Sequence, residues 1–469
     1  MTALPSFSSD TIVAIATAPG RAGVAVTRLS GPACQRAVRA LCGQIPSPRH
    51  ATRTAFCHPE TGDMIDDGLV LWFPGPASFT GEDCVEFQGH GGRAVTDALV
   101  AALCCIEGVR LAEPGEFSRR AYINGKMDLT TVEGLADLIH ADTDRQRRQA
   151  LRQMRGDLAA RLDGWRDDLI RHIAWIEAYI DFPDEDLPQE ISAQIHTHID
   201  TLAASIAGYL NDNRRGERMR DGLHVAVIGK PNVGKSSLVN ALAQRDVAIV
   251  SSEAGTTRDV IEVHLDLGGF PVTVADTAGL RHTDAAVEAE GIRRARDAAA
   301  QADFKIAVFD ASMDAVCDQE VASLIGASLI DASLIDERTL VVFNKCDLVA
   351  PSRIDTLTAQ GHIALSLTQG QKAQGQKIQG QGISILLDRL LHRISQDFGT
   401  DDQPTLTRQR HRTALTTCHT HVVRAGQATE LELMAEDMRL AARALGQITG
   451  RVHVDDFLDV IFSDFCIGK

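Results

Sequence analysis

The sequence predicts an α/β fold joined to α-helical segments, and three patterns along the chain indicate it. Short β-rich runs between Gly/Pro turns fill residues 1–125, which is typical of an α+β domain. Residues 221–400 alternate predicted strands with helices, the pattern of a mostly parallel sheet covered on both faces. Apolar residues recur at helical spacing in 126–220 and 401–469. We therefore expect an α/β domain inserted into a helical domain whose two halves come together.

Length and composition are those of an ordinary globular protein. With 469 residues, the chain is too long for one core and predicts about three domains. Apolar residues make up 44% and charged residues 23% of the chain, close to the average. No apolar run reaches the roughly 18–20 residues of a membrane span, and the N-terminus lacks a secretory pattern. None of the ten cysteines forms a CxxC pair, so we expect a cytoplasmic protein with reduced thiols and no membrane association.

The formal net charge of −16 argues against a protein that grips a nucleic-acid backbone alone, since such proteins usually carry a strong basic balance. A local basic stretch runs from Arg145 to Arg155. At helical spacing it is more typical of a solvated face than of an RNA site. If RNA is bound, a second protein would supply much of the contact.

The individual elements follow from the same patterns. Strands are predicted at Ile12–Ala16, Val24–Leu29, Gly68–Phe73 and Cys84–Phe87, with a helix beginning at Pro114-Gly-Glu-Phe-Ser. Helices are predicted from about Met127 to Met219, with a break at 182–186, and again over Thr405–Phe465. Between them, strands are predicted at His224–Ile228, Val260–Leu267, Val272–Ala275, Lys305–Phe309, Leu340–Phe343 and Ile363–Ser366. Two low-complexity segments, 322–335 and 369–382, are assigned no function.

A phosphate-binding motif follows the first strand of the predicted parallel sheet. Residues Gly229 to Ser236 read Gly-Lys-Pro-Asn-Val-Gly-Lys-Ser and match GxxxxGK[ST]. Glycines allow backbone N–H groups to wrap a β-phosphate, and the next helix offers its positive N-terminus. In this pattern Lys235 offsets charge on the β- and γ-phosphates, and the Ser236 hydroxyl binds Mg²⁺.

Three further motifs follow in the order that GTP hydrolysis requires. Asp276-Thr-Ala-Gly279 ends a predicted strand, where a carboxylate can hold the Mg²⁺ shell and the glycine amide can contact the γ-phosphate. Asn344-Lys-Cys-Asp347 ends another strand, and Asp347 can accept from the N1–H and 2-amino groups of guanine. The third motif is the switch loop Gly255–Asp259, which lies between the phosphate loop and Asp276; there Thr257 is the expected second Mg²⁺ hydroxyl. Each motif alone is consistent with an ordinary turn or strand-end carboxylate, but four in order predict a GTPase.

One residue of many GTPases is missing. Leu280 directly follows the Asp-x-x-Gly motif, where many GTPases place a glutamine that orients water. Asn232 in the phosphate loop and the acidic residues Glu288 or Glu290 are candidates for this role. For the two glutamates, solvated helix charges are an equally good reading before any family is considered.

Motifs outside this domain resemble one family. They are Phe79–Asp83, Glu86–Gly92, Pro114–Ala121, Asn124–Leu129, Ile180–Glu185 and Phe462–Lys469, which ends in Cys-Ile-Gly-Lys. Over nearly the whole chain, they resemble the bacterial tRNA-modification GTPases called MnmE or TrmE, of the TrmE-Era-EngA-like group. The terminal Cys-Ile-Gly-Lys beside a GTPase core is the most specific of these motifs.

The resemblance implies a fold and an activity. It implies an N-terminal domain, 1–125, that resembles tetrahydrofolate-binding enzymes and dimerises, and a P-loop GTPase domain, 221–400, inserted into the helical domain. It further implies a homodimer that works with the flavoprotein MnmG. Together they would install a carboxymethylaminomethyl or aminomethyl group on C5 of the wobble uridine (U34) of certain tRNAs, taking a one-carbon unit from methylene-tetrahydrofolate, of which 5-formyl-tetrahydrofolate is an analogue.

The resemblance also implies site residues. Folate would be contacted by Arg28, Glu86, Lys126 and Lys469; from the residues alone, a surface salt bridge or a capping carboxylate is the better reading of such groups. A K⁺ ion would be held by Asn232, Ser251, Glu253 and Thr256, and Glu288 would position water. Cys466 is either a reacting thiol or a buried one.

The motifs and the family resemblance together predict the residues that bind the nucleotide. They are Asn232, Val233, Gly234, Lys235, Ser236, Ser237, Ser251, Thr256, Thr257, Asp276, Thr277, Ala278, Gly279, Asn344, Lys345 and Asp347. Lys235, Asn232 and Glu288 are expected to be catalytic.

The sequence departs from the family at the base pocket. The family's usual Ser-Ala pair there reads Ser366-Leu367 in this chain, so the shape of the pocket's rim is an open question.

An alternative function is a GTPase whose hydrolysis only times binding, such as a regulatory switch or ribosome-assembly factor. The folate-type motifs and the terminal Cys-Ile-Gly-Lys favour the tRNA-modifying enzyme.

Overall fold

The computed structural model describes residues 10–181, 189–245, 247–249, 262–276, 297, 299–312, 336–367, 381–398, 404–451 and 468. The chain forms two compact units, each discontinuous in sequence. The first comprises Met1–Ala136, Arg152–Ala207 and Thr413–Lys469, and the second Asp137–Leu151 and Gly208–Arg412. The four predicted segments 1–125, 126–220, 221–400 and 401–469 stay predictions.

A six-stranded sheet begins the first unit. Its strands are β1 (Thr11–Ile15), β2 (Ala22–Ser30), β3 (Thr52–Cys57), β4 (Met64–Phe73), β5 (Cys84–Gly91) and β6 (Val109–Leu111). The order is β3-β4-β5-β2-β1-β6, antiparallel except where β6 pairs with β1. The same part of the chain contains three helices, α1 (Cys34–Cys42), α2 (Arg93–Cys104) and α3 (Glu116–Ile123).

The four strands predicted in this region are confirmed, and so is the helix after Pro114. Strands β3 and β6, which form the two edges of the sheet, are not among the predicted strands. Edge strands are half-solvated, so their apolar pattern is weak. In β3 only Phe56 is buried, and β6 has three residues.

A buried charge network ties α3 to the sheet. Arg120 is 1% exposed and pairs with Glu116 at 2.9 Å and Glu82 at 3.1 Å. Arg110 also pairs with Glu116, at 2.6 Å. Burial would raise the pKa of Glu116, but hydrogen bonds from Arg110, the Glu113 amide and Arg120 outweigh it and lower the pKa. Glu82 in turn accepts a hydrogen bond from Ser30 at the end of β2, so this network fixes the loop before β5.

Helices complete the described part of the chain. They are α4 (Leu129–Ile139), α5 (Asp144–Met154), α6 (Asp157–Asp181), α7 (Gln189–Leu210), α8 (Arg215–Asp221), α9 (Lys235–Ala243), α10 (Pro351–Ala359), α11 (Gln381–Phe398), α12 (Gln409–Gln427) and α13 (Leu431–Thr449). Within the described residues, the helical character predicted for both flanking segments is confirmed, while the predicted break at 182–186 and residues 452–465 lie outside them. Within the first unit, Arg439 of α13 pairs with Glu177 of α6, and Arg451, just after α13, pairs with Asp163 of α6, both at 2.6 Å. None of the described helices is long and apolar enough to cross a membrane.

The second unit contains the predicted mostly parallel sheet. Its strands are β7 (Leu223–Ile228), β8 (Glu262–Leu267), β9 (Phe270–Asp276), β10 (Phe304–Asp310), β11 (Thr339–Asn344) and β12 (Ile363–Ala364), in the order β12-β11-β10-β7-β9-β8. Only β8 pairs antiparallel among these described strands. Parallel order brings the carboxyl ends of β7, β9, β10 and β11 to one edge, where ligands bind in such sheets.

The basic stretch on α5 has structural partners. The Arg145 guanidinium lies 3.9 Å from the centre of the Phe270 ring. Arg147 and Arg148 both pair with Asp144, at 2.6 and 2.7 Å. The side chains of Arg147 and Arg148 are exposed, as expected for the solvated helix face that the sequence favours.

Candidate functional site

The phosphate loop connects β7 to α9, and two of its positions require glycine. Gly234 has φ of 106°, and a Cβ there would collide with the side-chain amide of Asn344. Gly229 has φ of 154°, and a Cβ there would collide with the carbonyl of Val308. Because both residues lack a Cβ, the loop can lie close to the ends of the neighbouring strands.

Lys235 is the first residue of α9 and is 6% exposed. Its Nζ donates to the carbonyl oxygens of Gly229 and Lys230, each at 2.9 Å. These bonds hold the ammonium inside the curve of the loop, at a helix N-terminus that favours anions. Ser236, Ser237 and Asn232 are exposed on the same loop and first turn.

Asn344 joins the base-reading motif to the phosphate loop. Its Nδ2 donates to the carbonyl of Val233 at 2.8 Å, across 111 residues of sequence. The side chain is 3% exposed, and its Oδ1 accepts no hydrogen bond from any described residue. Since buried acceptors are rarely left unpaired, this oxygen marks a place for a ligand N–H.

Asp347 lies beside Asn344 and is exposed. Ser366 Oγ donates to Asp347 Oδ1 at 2.6 Å, which orients the carboxylate. Leu367 packs against the apolar core of the sheet. The Ser366–Asp347 contact therefore forms with Leu367 as its neighbour in the chain.

Asp310 is a functional candidate that sequence reasoning missed. It ends β10 and pairs with Lys345 at 2.6 Å. Partial burial alone would raise the pKa of Asp310, but hydrogen bonds from Lys345 and Ser312 outweigh it and lower the pKa. Its position in the sequence could have indicated it, because Asp310 directly follows a predicted strand whose end lies at the same sheet edge as the nucleotide motifs. Its carboxylate holds the Lys345 side chain in place.

Part of the predicted nucleotide set lies outside the described residues. These are Ser251, Thr256, Thr257, Thr277, Ala278 and Gly279, together with the side chain of Asp276. Glu253 and Glu288, predicted for the K⁺ site and for positioning water, also lie outside the described residues. The backbone of Asp276 ends β9, next to β7. The structure thus brings together the phosphate loop and the base-reading motif.

The predicted folate residues Arg28 and Glu86 lie opposite each other on β2 and β5. Arg28 donates to Glu86 Oε1 from Nε at 3.1 Å and from Nη2 at 2.9 Å. The pair is about four-fifths buried, and the guanidinium lies 5.2 Å from the centre of the Phe79 ring. This is the salt bridge that the residues alone suggest. In both hydrogen bonds the acceptor is Oε1.

Lys126 and the chain end are near the same region of the first unit. Lys126 Nζ donates to the carbonyl of Pro76 at 3.0 Å, in the loop that carries Phe79. A Cβ at Gly468 would collide with the carbonyl of Ile15, which follows Ala14, the partner of Arg28 in the register. Lys469 and Cys466 lie outside the described residues.

Comparisons with known proteins agree with this architecture. The family model described as MnmE helical domain matches residues 129–466, and the model of the GTP-binding protein TrmE N-terminus matches 11–126. The tRNA modification GTPase MnmE of Rhodospirillum rubrum is 51% identical over 98% of this chain and 99% of its own length. The human protein named 5-taurinomethyluridine-[tRNA] synthase subunit GTPB3, mitochondrial, is 45% identical over 98% of this chain and 94% of its own length.

A solved structure of Aquifex aeolicus Era is 22% identical and covers 44% of this chain and 68% of its own, with a TM-score of 0.26; at that score the likeness carries no functional argument. The two family models and the relatives at about half identity agree over almost the entire sequence. The chain belongs to the MnmE (TrmE) family of tRNA-modification GTPases.

Proposed function

We propose that this GTPase is K⁺-stimulated and Mg²⁺-dependent. We propose also that, with the flavoprotein MnmG, it adds a carboxymethylaminomethyl or aminomethyl group to C5 of the wobble uridine of certain tRNAs. Methylene-tetrahydrofolate would supply the one-carbon unit to a cytoplasmic homodimer. The human relative is named as a synthase subunit, which supports a role within a larger enzyme.

The main support for GTP binding is the hydrogen bond between Asn344 and Val233 of the phosphate loop. This hydrogen bond fixes the distance between the part of the site that would bind the base and the part that would bind the phosphates. The carboxylate of Asp347, which Ser366 orients, can accept from both the N1–H and the 2-amino group of guanine. Adenine does not present that pair of donors in the same arrangement.

The described residues divide the work of hydrolysis. Lys235 would exchange its two carbonyl contacts for phosphate oxygens and stabilise charge as it develops. Ser236 would hold Mg²⁺ together with Thr257 and Asp276, and the ion would offset charge on the β- and γ-oxygens. Asn232, which is exposed on the loop, would bind K⁺ together with Ser251, Glu253 and Thr256. Glu288 would position the attacking water.

The folate part rests on the chemistry of the donor set. Glu86 can accept from the amino edge of a pterin, while Arg28 and Lys126 supply cations for the glutamate tail. Phe79 and Phe117, whose ring centres lie 5.2 and 6.0 Å from the Arg28 guanidinium, add aromatic surface near the ion pair. Lys469 is the remaining member of the proposed set.

The deciding experiment is nucleoside mass spectrometry of tRNA from cells that lack this chain. We expect the C5-aminomethyl-type wobble uridines to disappear and to return when the gene is restored. If those nucleosides are unchanged, the switch or assembly class replaces the proposed role, although the GTPase activity itself remains.

For the proposed K⁺ site, Asn232→Ala should lose the stimulation of GTP hydrolysis by K⁺ over Na⁺ while GDP affinity changes little. The reason is that the side chain would bind the ion rather than the nucleotide. Hydrolysis rates in KCl and NaCl, with GDP affinity as control, measure this. An equal loss of rate in both salts would contradict the K⁺ role.

For the proposed folate site, Arg28→Ala should weaken binding of 5-formyl-tetrahydrofolate by about tenfold or more, since a charge-assisted hydrogen bond contributes about 1.5–3 kcal/mol. Calorimetry on the full chain measures the affinity. Arg53→Ala is the matched control, because Arg53 forms an exposed pair with Asp67 on the same sheet. Equal affinities for both variants would remove Arg28 from the site.

A further inference from the structure

A cleft of about 470 Å³ lies between α6 and α7, away from the nucleotide motifs. Its lining is aromatic and cationic, with Arg161, Trp165, Arg171, His172, Trp175 and His198. The chain contains three tryptophans, and two of them line this cleft. Aromatic residues are only 4% of the sequence, so their concentration here points to a binding surface.

His172 places an unpaired acceptor in the cleft. The ring is 5% exposed, and its Nδ1 contacts the backbone carbonyl of Asp168. A carbonyl only accepts, so Nδ1 must carry the proton, and Nε2 of the neutral ring is a bare acceptor. Among the described residues, none donates to that buried Nε2. Desolvation, chiefly, lowers the pKa of His172 and keeps the ring neutral.

Aromatic rings surround this acceptor. The His172 ring lies edge-on to Trp175 at 5.3 Å and to His198 at 5.4 Å. The Trp175 and His198 rings are tilted by 35° at 6.1 Å. Trp175 is 36% exposed, so part of its surface is open to a planar ligand. Bases stack on such side chains whatever their sequence.

The floor and rim complete the cleft. Gly164 lies inside α6, where glycine costs about 1 kcal/mol relative to alanine, and a Cβ there would meet no described atom within 4 Å. Arg161 is exposed and lies 5.1 Å over the Trp165 ring. Arg171 is exposed and shares Asp168 at 3.2 Å. With two arginines and one aspartate, the rim of the cleft carries a net positive charge that favours binding of an anion.

We propose that this cleft binds one unpaired nucleotide of an RNA, with its base against Trp175, a base N–H donated to His172 Nε2, and a phosphate paired with Arg161 or Arg171. The acceptor, the aromatic wall and the cations match the three parts of a nucleotide. The choice of RNA over a free nucleotide rests on the proposed function in tRNA modification. It gives an acidic chain a local contact with its RNA.

The test measures RNA affinity of the full chain by fluorescence anisotropy. One probe is a labelled stem-loop RNA with an unpaired loop, and the other is a fully paired duplex of equal length. Trp175→Ala should weaken binding of the stem-loop by about tenfold, as expected for one lost stacking contact. His172→Phe keeps the ring but removes the acceptor, and should cost about fivefold. Gly164→Leu should block the cleft while α6 remains helical.

Trp72→Phe is the matched control, since Trp72 lies on β4 of the N-terminal sheet. GTP hydrolysis by every variant is measured in parallel and should be unchanged, which separates loss of this site from loss of the fold or of GTPase function. Unchanged stem-loop affinity in all three cleft variants would overturn the proposal. Quenching of Trp175 by UMP without any effect on RNA binding would also overturn it, in favour of a free nucleotide.

Discussion

Lys235→Ala should reduce the rate of GTP hydrolysis by about 10²–10³-fold, the usual effect of removing one charge-stabilising donor from a transition state. The ammonium is held inside the phosphate loop by the carbonyls of Gly229 and Lys230. The ammonium is therefore already in position before the nucleotide binds. Phosphate release under single-turnover conditions measures the chemical step directly.

The matched control for this prediction is Lys230→Ala. Lys230 contacts Lys235 through its backbone carbonyl, which alanine retains, so its rate should stay close to that of the unchanged chain. If Lys235→Ala hydrolyses GTP within twofold of the unchanged chain, the loop does not form the phosphate site described above.

Asp347→Asn should weaken GTP binding by about 10²-fold or more, because the uncharged amide can accept from only one of the two guanine N–H groups, and each hydrogen bond to a charged acceptor contributes about 1.5–3 kcal/mol. The same change should improve binding of xanthosine triphosphate, since an amide can donate to the oxygen that xanthine carries in place of the 2-amino group. The side chain is already oriented by Ser366, so the substituted amide has a defined position. Competition between labelled GDP and each triphosphate measures both affinities.

Asp355→Asn provides the charge-matched control, because Asp355 is exposed on α10 outside the site. It removes one negative charge from the same unit and should leave both affinities unchanged. A uniform loss of affinity for both triphosphates in Asp347→Asn, with no gain for xanthosine triphosphate, would contradict base reading by this residue.

Most of the fold could be predicted from local patterns. Each strand of the parallel sheet was anticipated to within a few residues, because buried parallel strands are continuous apolar runs. The phosphate loop was equally clear, since its glycines are needed for backbone angles that the motif itself imposes. The edge strands β3 and β6 could not be predicted, because half-solvated strands show only a weak pattern of apolar residues.

The sequence by itself thus determined most of the elements, the motifs at their ends and the family. Tertiary structure alone decided which side chains meet. Asn344 reaches Val233 across 111 residues, and Asp310 reaches Lys345 across 35, because the strand order places their strand ends at one edge of the sheet. The cleft at His172 likewise needs α6 beside α7, which no pattern in either helix specifies. Contacts of this kind depend on how elements pack, and packing is set by the whole core rather than by any local segment.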